Sequence, residues 1–240
     1  MEYPWLKNYD EGVPYSLEPY PEQTLLDVVS DTVSQRPNHT ALIFKGRRLS
    51  YSELEKLSDA FANALVALGV KKGDRVALLL PNSPQSIITQ LGIWKAGGIA
   101  APINPLYTEG ELERLLNECG AETVVVLTRF YKKVKSLQPR THVLHIIATN
   151  IKEYLPTLLS LLFTLFKEKK EGHRIKLQPN DLWLSNLLRQ HANIPRPNVK
   201  INPEDPALLL FSGGTTGEPK GAVGTHHALL MTGMHLRAWF

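Results

Sequence analysis

The sequence predicts an α/β fold in which a parallel sheet is layered with helices. Three features of the pattern carry that expectation. Short unbroken apolar runs suit strands buried on both faces. Segments with apolar residues three and four apart separate those runs, as amphipathic helices would. Ser/Thr and Glu pairs at the capping-box spacing mark where the helical segments begin. Parallel strands need crossover connections, and the intervening helices supply them.

Taken in order, a proline-rich arm precedes the first strongly periodic segment, "LSYSELEKLSDAFANALVALG". There Leu54, Leu57, Phe61, Leu65 and Leu68 fall on one helical face, Ser50 and Glu53 form a capping box, and Gly69 can end the helix in a left-handed conformation. "RVALLL" (75–80) reads as a buried strand. Ser83 then caps a second helix with Pro84 at its first position, and Gly97 and Gly98 close it. "IAAPI" is the next strand, and Thr108 with Glu111 opens the helix "LERLLNECG". "TVVVL" (123–127) and "HVLHIIAT" (142–149) follow as buried strands, the second after a short basic helix. The apolar stretch "EYLPTLLSLLFTLF" (153–166) is too short for a membrane span, which takes about 20 residues. It predicts either a helix buried in the core, or under further protein, or a membrane-surface helix flanked by "KEKKEGHRIK". Residues 189–206 hold four prolines and read as a connection that delivers the chain to "ALLLF", a further buried strand.

Composition narrows the class of function. With 43% hydrophobic residues among 240, the chain can bury a sizeable core. Lysine and arginine number 27 against 23 acidic residues, scattered along the chain, so a nucleic-acid partner is not indicated. A single cysteine, Cys119, excludes an intrachain disulfide and a multi-cysteine metal site, and points to a reducing, cytoplasmic setting. Its expected place is a packing gap between helix and sheet. The start, "MEYPWLKNYDEGVPYSLEPYPEQ", lacks the apolar core of a signal peptide. The other histidines show no spacing with carboxylates that would hold a metal, and His226 and His227 read as surface residues at a helix start.

The segment "LLLFSGGTTGEPKGAVGTHHALL" (208–230) carries the chemistry. Ser212, Gly213, Gly214, Thr215, Thr216 and Gly217 offer backbone N–H groups at positions tolerant of positive φ, together with hydroxyl donors. Lys220 adds a point charge. That combination suits a phosphate. No G-x-x-x-x-G-K-[ST] or G-x-G-x-x-G pattern is present, and "KGAVGTH" reads as a return strand, so a hairpin encloses the anion.

"FSGGTTGEPKGAVGTH" resembles the phosphate-loop signature of the AMP-forming acyl-adenylate synthetases, with Gly213 where many members have serine. "GDRVALLLPNSP" and "WKAGGIAAPINPLYTEGELERLLNECGA" are similar to the family's earlier segments in the same order. "PWLKNYDEGVP" and "NIKEYLPTLLSLLFTLFKEKKEGHR" are most similar to long-chain fatty acyl-CoA ligases. The resemblance implies an arm and first helix at 1–39, and over 40–240 the N-terminal part of the large adenylate-forming domain. It further implies ATP with magnesium, a fatty acid and coenzyme A as reactants, and a role for Ser212 through Gly217 and Lys220 in holding the β- and γ-phosphates. Thr215 or Thr216 would touch the metal. The family's adenine, magnesium-assisting, ribose and catalytic-lysine groups fall beyond residue 240, so no catalytic residue is assigned and the chain alone is expected to be inactive. Three readings compete: a fatty acyl-CoA ligase, an adenylating enzyme for another carboxylic acid, and a noncatalytic nucleotide- or membrane-binding protein.

Overall fold

A computed structural model describes residues 3–211 and 220–240. The arm leads into helix α1 (Leu25–Gln35), capped by Thr24, whose hydroxyl accepts from the Asp27 amide. Strands β1 (Thr40–Phe44) and β2 (Arg47–Ser50) pair antiparallel across Lys45 and Gly46, both at positive φ (51° and 92°), the geometry of a tight hairpin turn. Neither strand is evident in the sequence pattern. Helix α2 (Tyr51–Ala67) starts at the Ser50–Glu53 capping box, and Gly69 beyond its end has φ 89°, as expected. Strand β3 (Arg75–Leu79), helix α3 (Pro84–Lys95) and strand β4 (Ile99–Pro102) follow the predicted order. Helix α4 (Glu109–Cys119) opens on the Thr108–Glu111 box. Strand β5 (Thr123–Leu127), helix α5 (Tyr131–Leu137) and strand β6 (His145–Thr149) complete this stretch. β6 is shorter than predicted because Val143 and Leu144 precede it as irregular chain.

Helix α6 (Thr157–Leu162) runs into a π-turn (Phe163–Lys167). Then come β7 (Leu182–Trp183) and helix α7 (Leu184–Gln190), both unanticipated. Strands β8 (Pro206–Phe211) and β9 (Gly221–Thr225) pair antiparallel, and helix α8 (His226–Trp239) follows.

The seven-stranded sheet has the order β7-β6-β5-β3-β4-β8-β9 and is parallel except for β9. Successive side chains of a strand point to opposite faces. Val76 and Leu78 accordingly join one core cluster with Phe61, Leu65, Ile88, Ile93 and Leu184, whereas Ala77 and Leu79 join another with Leu112, Leu116, Val134 and Leu137. Helices thus cover both faces, and Cys119 fills the second cluster as predicted.

One expectation fails, and one set of alternatives narrows. β8 is not buried: Ala207 is fully covered but Leu210 is 47% exposed, because only β9, itself largely exposed, lies beyond it. α6 does not enter the core, and neither it nor the π-turn contains a buried residue. The polar groups at the ends of that segment are held in the fold, which leaves the apolar middle outside.

Candidate nucleotide-phosphate site

The carboxyl ends of the parallel strands define where this fold can bind. The connection from β3 runs to β4 on one side, and that from β5 runs to β6 on the other. The adjacent strands β3 and β5 therefore form a topological switch point, where open α/β sheets place ligands. A crevice of about 550 Å³ lies there, lined by Leu80, Pro81 and Asn82 after β3, and by Leu127, Arg129 and Phe130 after β5. His173 closes one side. The Thr128 hydroxyl and His173 Nδ1 are hydrogen-bonded at 2.8 Å, and burial holds this imidazole below the ordinary histidine value. Sequence pattern could have predicted the carboxyl ends but not the strand order, so this crevice was missed.

The β8–β9 hairpin stands two strands from that crevice. Phe211 pairs with Gly221, Leu210 with Ala222 and Leu209 with Val223. The return strand predicted from "KGAVGTH" is thus present. Trp94 Nε1 donates to the Ala207 carbonyl at 2.6 Å, tying α3 to the strand that leads into the glycine-rich segment. Asp205 secures the base: its carboxylate pairs with Lys72 at 2.5 Å and accepts from the Asn202 amide at 2.6 Å, while its carbonyl accepts from the His226 amide. Thr225 caps α8 by accepting from the Ala228 amide.

Of the predicted phosphate-binding residues, Lys220 lies exposed immediately before β9. Ser212, Gly213, Gly214, Thr215, Thr216 and Gly217 lie outside the described residues. His226 corrects another expectation. It is 1% exposed rather than on the surface, with its ring set edge-on to Trp94 at 5.6 Å. Burial, partly opposed by Asp205, pushes its pKa down to about 4. The helix start points this side chain inward because the hairpin turns back over α3. His227 is half-buried, with Nδ1 3.2 Å from Glu204. Among the described residues no group of three or more His, Cys, Asp or Glu could hold a metal ion.

A largely parallel sheet with a crevice at its strand ends, and an edge hairpin whose two strands flank the glycine- and threonine-bearing segment in sequence, make this an α/β protein of the doubly wound kind. The chain belongs to the AMP-binding enzyme family, which matches residues 29–239. It is similar to the long-chain-fatty-acid-CoA ligase of Bacillus subtilis, 35% identical over 98% of this chain and 42% of the relative. That of Haemophilus influenzae is 36% identical over 94% of this chain and 41% of the relative. The chain thus spans about two-fifths of the length of these relatives. Among solved structures, a long-chain-fatty-acid-CoA ligase from Archaeoglobus fulgidus superposes with a TM-score of 0.74 at 27% identity, covering 96% of this chain and 42% of that one. An anthranilate CoA ligase in complex with anthranoyl-AMP gives 0.73 at 25% identity, covering 89% and 37%.

Proposed function

We propose that the chain serves the ATP-dependent activation of a fatty acid, first to acyl-AMP and then to acyl-CoA. In the first step a carboxylate oxygen attacks the α-phosphorus of ATP, and the bond to the β-phosphate oxygen breaks to release pyrophosphate. In the second the coenzyme A thiol gives up its proton and attacks the acyl carbon, and AMP leaves. The part assigned to this chain is the first leaving group. Ser212 through Gly217 would present amide and hydroxyl donors to the β- and γ-phosphates, and Lys220 would offset their charge as it grows. The observation that carries this reading is the antiparallel pairing of β8 and β9, the strands that flank that segment in sequence, in a chain 35% identical to a long-chain-fatty-acid-CoA ligase. Magnesium would accompany ATP, with Thr215 or Thr216 touching it. The lone, buried Cys119 supports a reducing, cytoplasmic place of action.

The test uses the protein as its gene encodes it, assayed for pyrophosphate release with palmitate while ATP is varied. Lys220→Ala removes one charge and is expected to lower kcat/KM for ATP by about tenfold to a hundredfold. Gly217→Val blocks the backbone turn and should cost more. Wild-type kcat/KM for ATP in Gly217→Val would show that the segment does not hold phosphate. Likeness to the anthranilate CoA ligase supports a second reading, an aromatic acid as substrate. Faster AMP formation with anthranilate than with palmitate would favour it.

A further inference from the structure

A second concavity stands apart from the switch-point crevice and takes no part in the chemistry above. It is a groove of about 510 Å³ where β2, α2 and α7 meet a single 3₁₀ turn (Ile151–Tyr154), and it shares no lining residue with that crevice. Its volume is that of a small-molecule site. The floor is apolar. Leu49, Tyr154 and Leu188 are buried there in the core cluster that includes Phe61 and Val76, and Leu57 packs against the same cluster. The rim is cationic, with Arg47, Lys56 and Arg189 all exposed along it. Arg47 is already oriented, since its Nη1 donates to the Glu153 carbonyl at 2.7 Å and its guanidinium lies over the Tyr154 ring, 5.3 Å from the centroid. Arg189 Nη2 donates to Asn186 Oδ1 at 2.9 Å. A guanidinium has five donors, so both have donors to spare among the described residues. Tyr154 supplies the deciding polar group. Its side chain is 6% exposed, yet its hydroxyl has no hydrogen-bond partner among the described residues. That hydroxyl is not fully enclosed either, so it opens to the groove that Tyr154 lines. Burial raises its pKa, which keeps it a donor. A buried donor without an acceptor is costly, and a ligand oxygen would satisfy it.

We infer that this groove binds a small apolar monocarboxylate at a site separate from the phosphate-binding segment, its hydrocarbon body on the leucines and its head accepting from the Tyr154 hydroxyl and Arg47. Charge selects the head group. Three cations, Arg47, Lys56 and Arg189, stand against two carboxylates, Glu53 and Glu153, so the groove carries one net positive charge. Both carboxylates are engaged within the fold: Glu53 accepts from the Ser50 amide and hydroxyl, and Glu153 from the Asn150 amide and the Thr149 hydroxyl. They would repel the further charges of a polyanion such as a nucleotide. An inorganic anion would gain nothing from the apolar floor. A carboxylate matches both parts, because a phenol O–H beside a guanidinium gives it charge-assisted hydrogen bonds. The groove lies on the face of the sheet that α2 and α7 cover, and α7 packs on β6 and β7, whereas the β8–β9 hairpin occupies the opposite edge. An occupant would therefore brace α7 against α2 without approaching the hairpin.

The inference does not rest on adenylation, and its test contains neither ATP nor coenzyme A. The protein as its gene encodes it is irradiated with decanoate carrying a diazirine at its far end, and separately with decanol carrying the same group. Labelled peptides are then identified by mass spectrometry. The acid is expected to label the chain around Leu57 and Leu188 at least about tenfold more than the alcohol does, the worth of one charge-assisted bond. Tyr154→Phe should lower that label about tenfold. Lys56→Gln with Arg189→Gln should lower it about fivefold at low salt. Label elsewhere in the protein, including wherever an acid is activated, should not change in these variants, which separates a failure here from a failure of the proposed activity. The melting temperature of each variant should stay within about 4 °C of the parent, so that lost label is not lost fold. Displacement of the label by unlabelled decanoate or by naphthoate supports the inference, and the stronger competitor tells an aliphatic from an aromatic occupant. No label around Leu57 and Leu188 overturns it. So does label undiminished in Tyr154→Phe. Equal labelling by acid and alcohol also overturns it, and leaves the groove to an uncharged apolar partner.

Discussion

At the residue scale, His226 links the fold to solution conditions. Its folded pKa lies near 4 against an ordinary 6.5, with burial as the largest cause. Asp205 and Asp27 pull it upward, while Arg196 and Lys72 push it down. Between those two values the unfolded chain binds a proton that the folded chain refuses. Stability is therefore fully present above pH 6.5, falls as pH drops through the window, and loses nothing more to this group below about 4. From pH 7 to pH 5 the loss should be about 2 kcal/mol. Urea unfolding at both pH values checks it, with His226→Gln expected to flatten the slope by that amount. Lys95 illustrates the opposite solution to a buried cation. It is 1% exposed yet lies 2.8 Å from Glu55, 2.7 Å from Asp59 and 2.8 Å from the Ser58 hydroxyl. Burial raises the Asp59 carboxyl above the usual range although Lys95 pulls it down.

At the scale of elements, the closest packing joins α2 to α3. A Cβ on Gly92 would stand 2.7 Å from Phe61 Cδ1 and 3.0 Å from the Ser58 carbonyl. Phe61 is fully buried, so its ring has nowhere to move without displacing neighbours. Gly92→Ala improves helix propensity by about 1 kcal/mol but forces the two helices apart. Overpacking of this kind costs about 1–3 kcal/mol, so the variant should be no more stable than the parent, and most plainly less stable. The midpoint of denaturant unfolding decides it; a rise would show that α2 and α3 can separate without cost. The same contact explains the length of α2, since its 17 residues present Leu54, Phe61 and Leu65 along one buried face.

At the scale of the whole molecule, the sheet carries the β8–β9 hairpin toward one edge and the excursion between β6 and β7 toward the other. Among the described residues β8 meets β4 in register at Ala100 and Leu208, and the Trp94 bond to Ala207 is a further tie between the hairpin and the core. The N-terminal arm adds a second brace on α8: the Tyr20 hydroxyl and His235 Nε2 are 2.8 Å apart, and Tyr9 packs edge-on to Trp239 at 5.1 Å. Trp94→Phe keeps most of the apolar ring but removes its hydrogen bond to the Ala207 carbonyl. Amide exchange in β8 and β9 should quicken by about tenfold, as for the loss of one hydrogen bond, while β3 and β5 keep their protection. Uniform quickening across the sheet would mean that the hairpin and core open as one unit.

Local chemistry made much of this legible in the sequence. The capping boxes at Ser50 and Thr108, the left-handed Gly69, the runs at 75–79 and 123–127 and the return strand after Lys220 each depend on residues a few positions apart. The family was legible too, since a glycine-rich segment with a Pro-Lys-Gly exit is a local pattern. The chain alone did not reveal which strands are neighbours, so the β3–β5 crevice, the edge position of β8 and the inward turn of His226 emerged only with the tertiary structure. It also hid β1, β2, β7 and α7, whose short segments carry too little periodicity. For α6 the composition was compatible with core or surface. The decision fell to the anchors at Asn150, Glu168 and His173, because polar groups that must find partners inside the fold leave the leucines between them outside it.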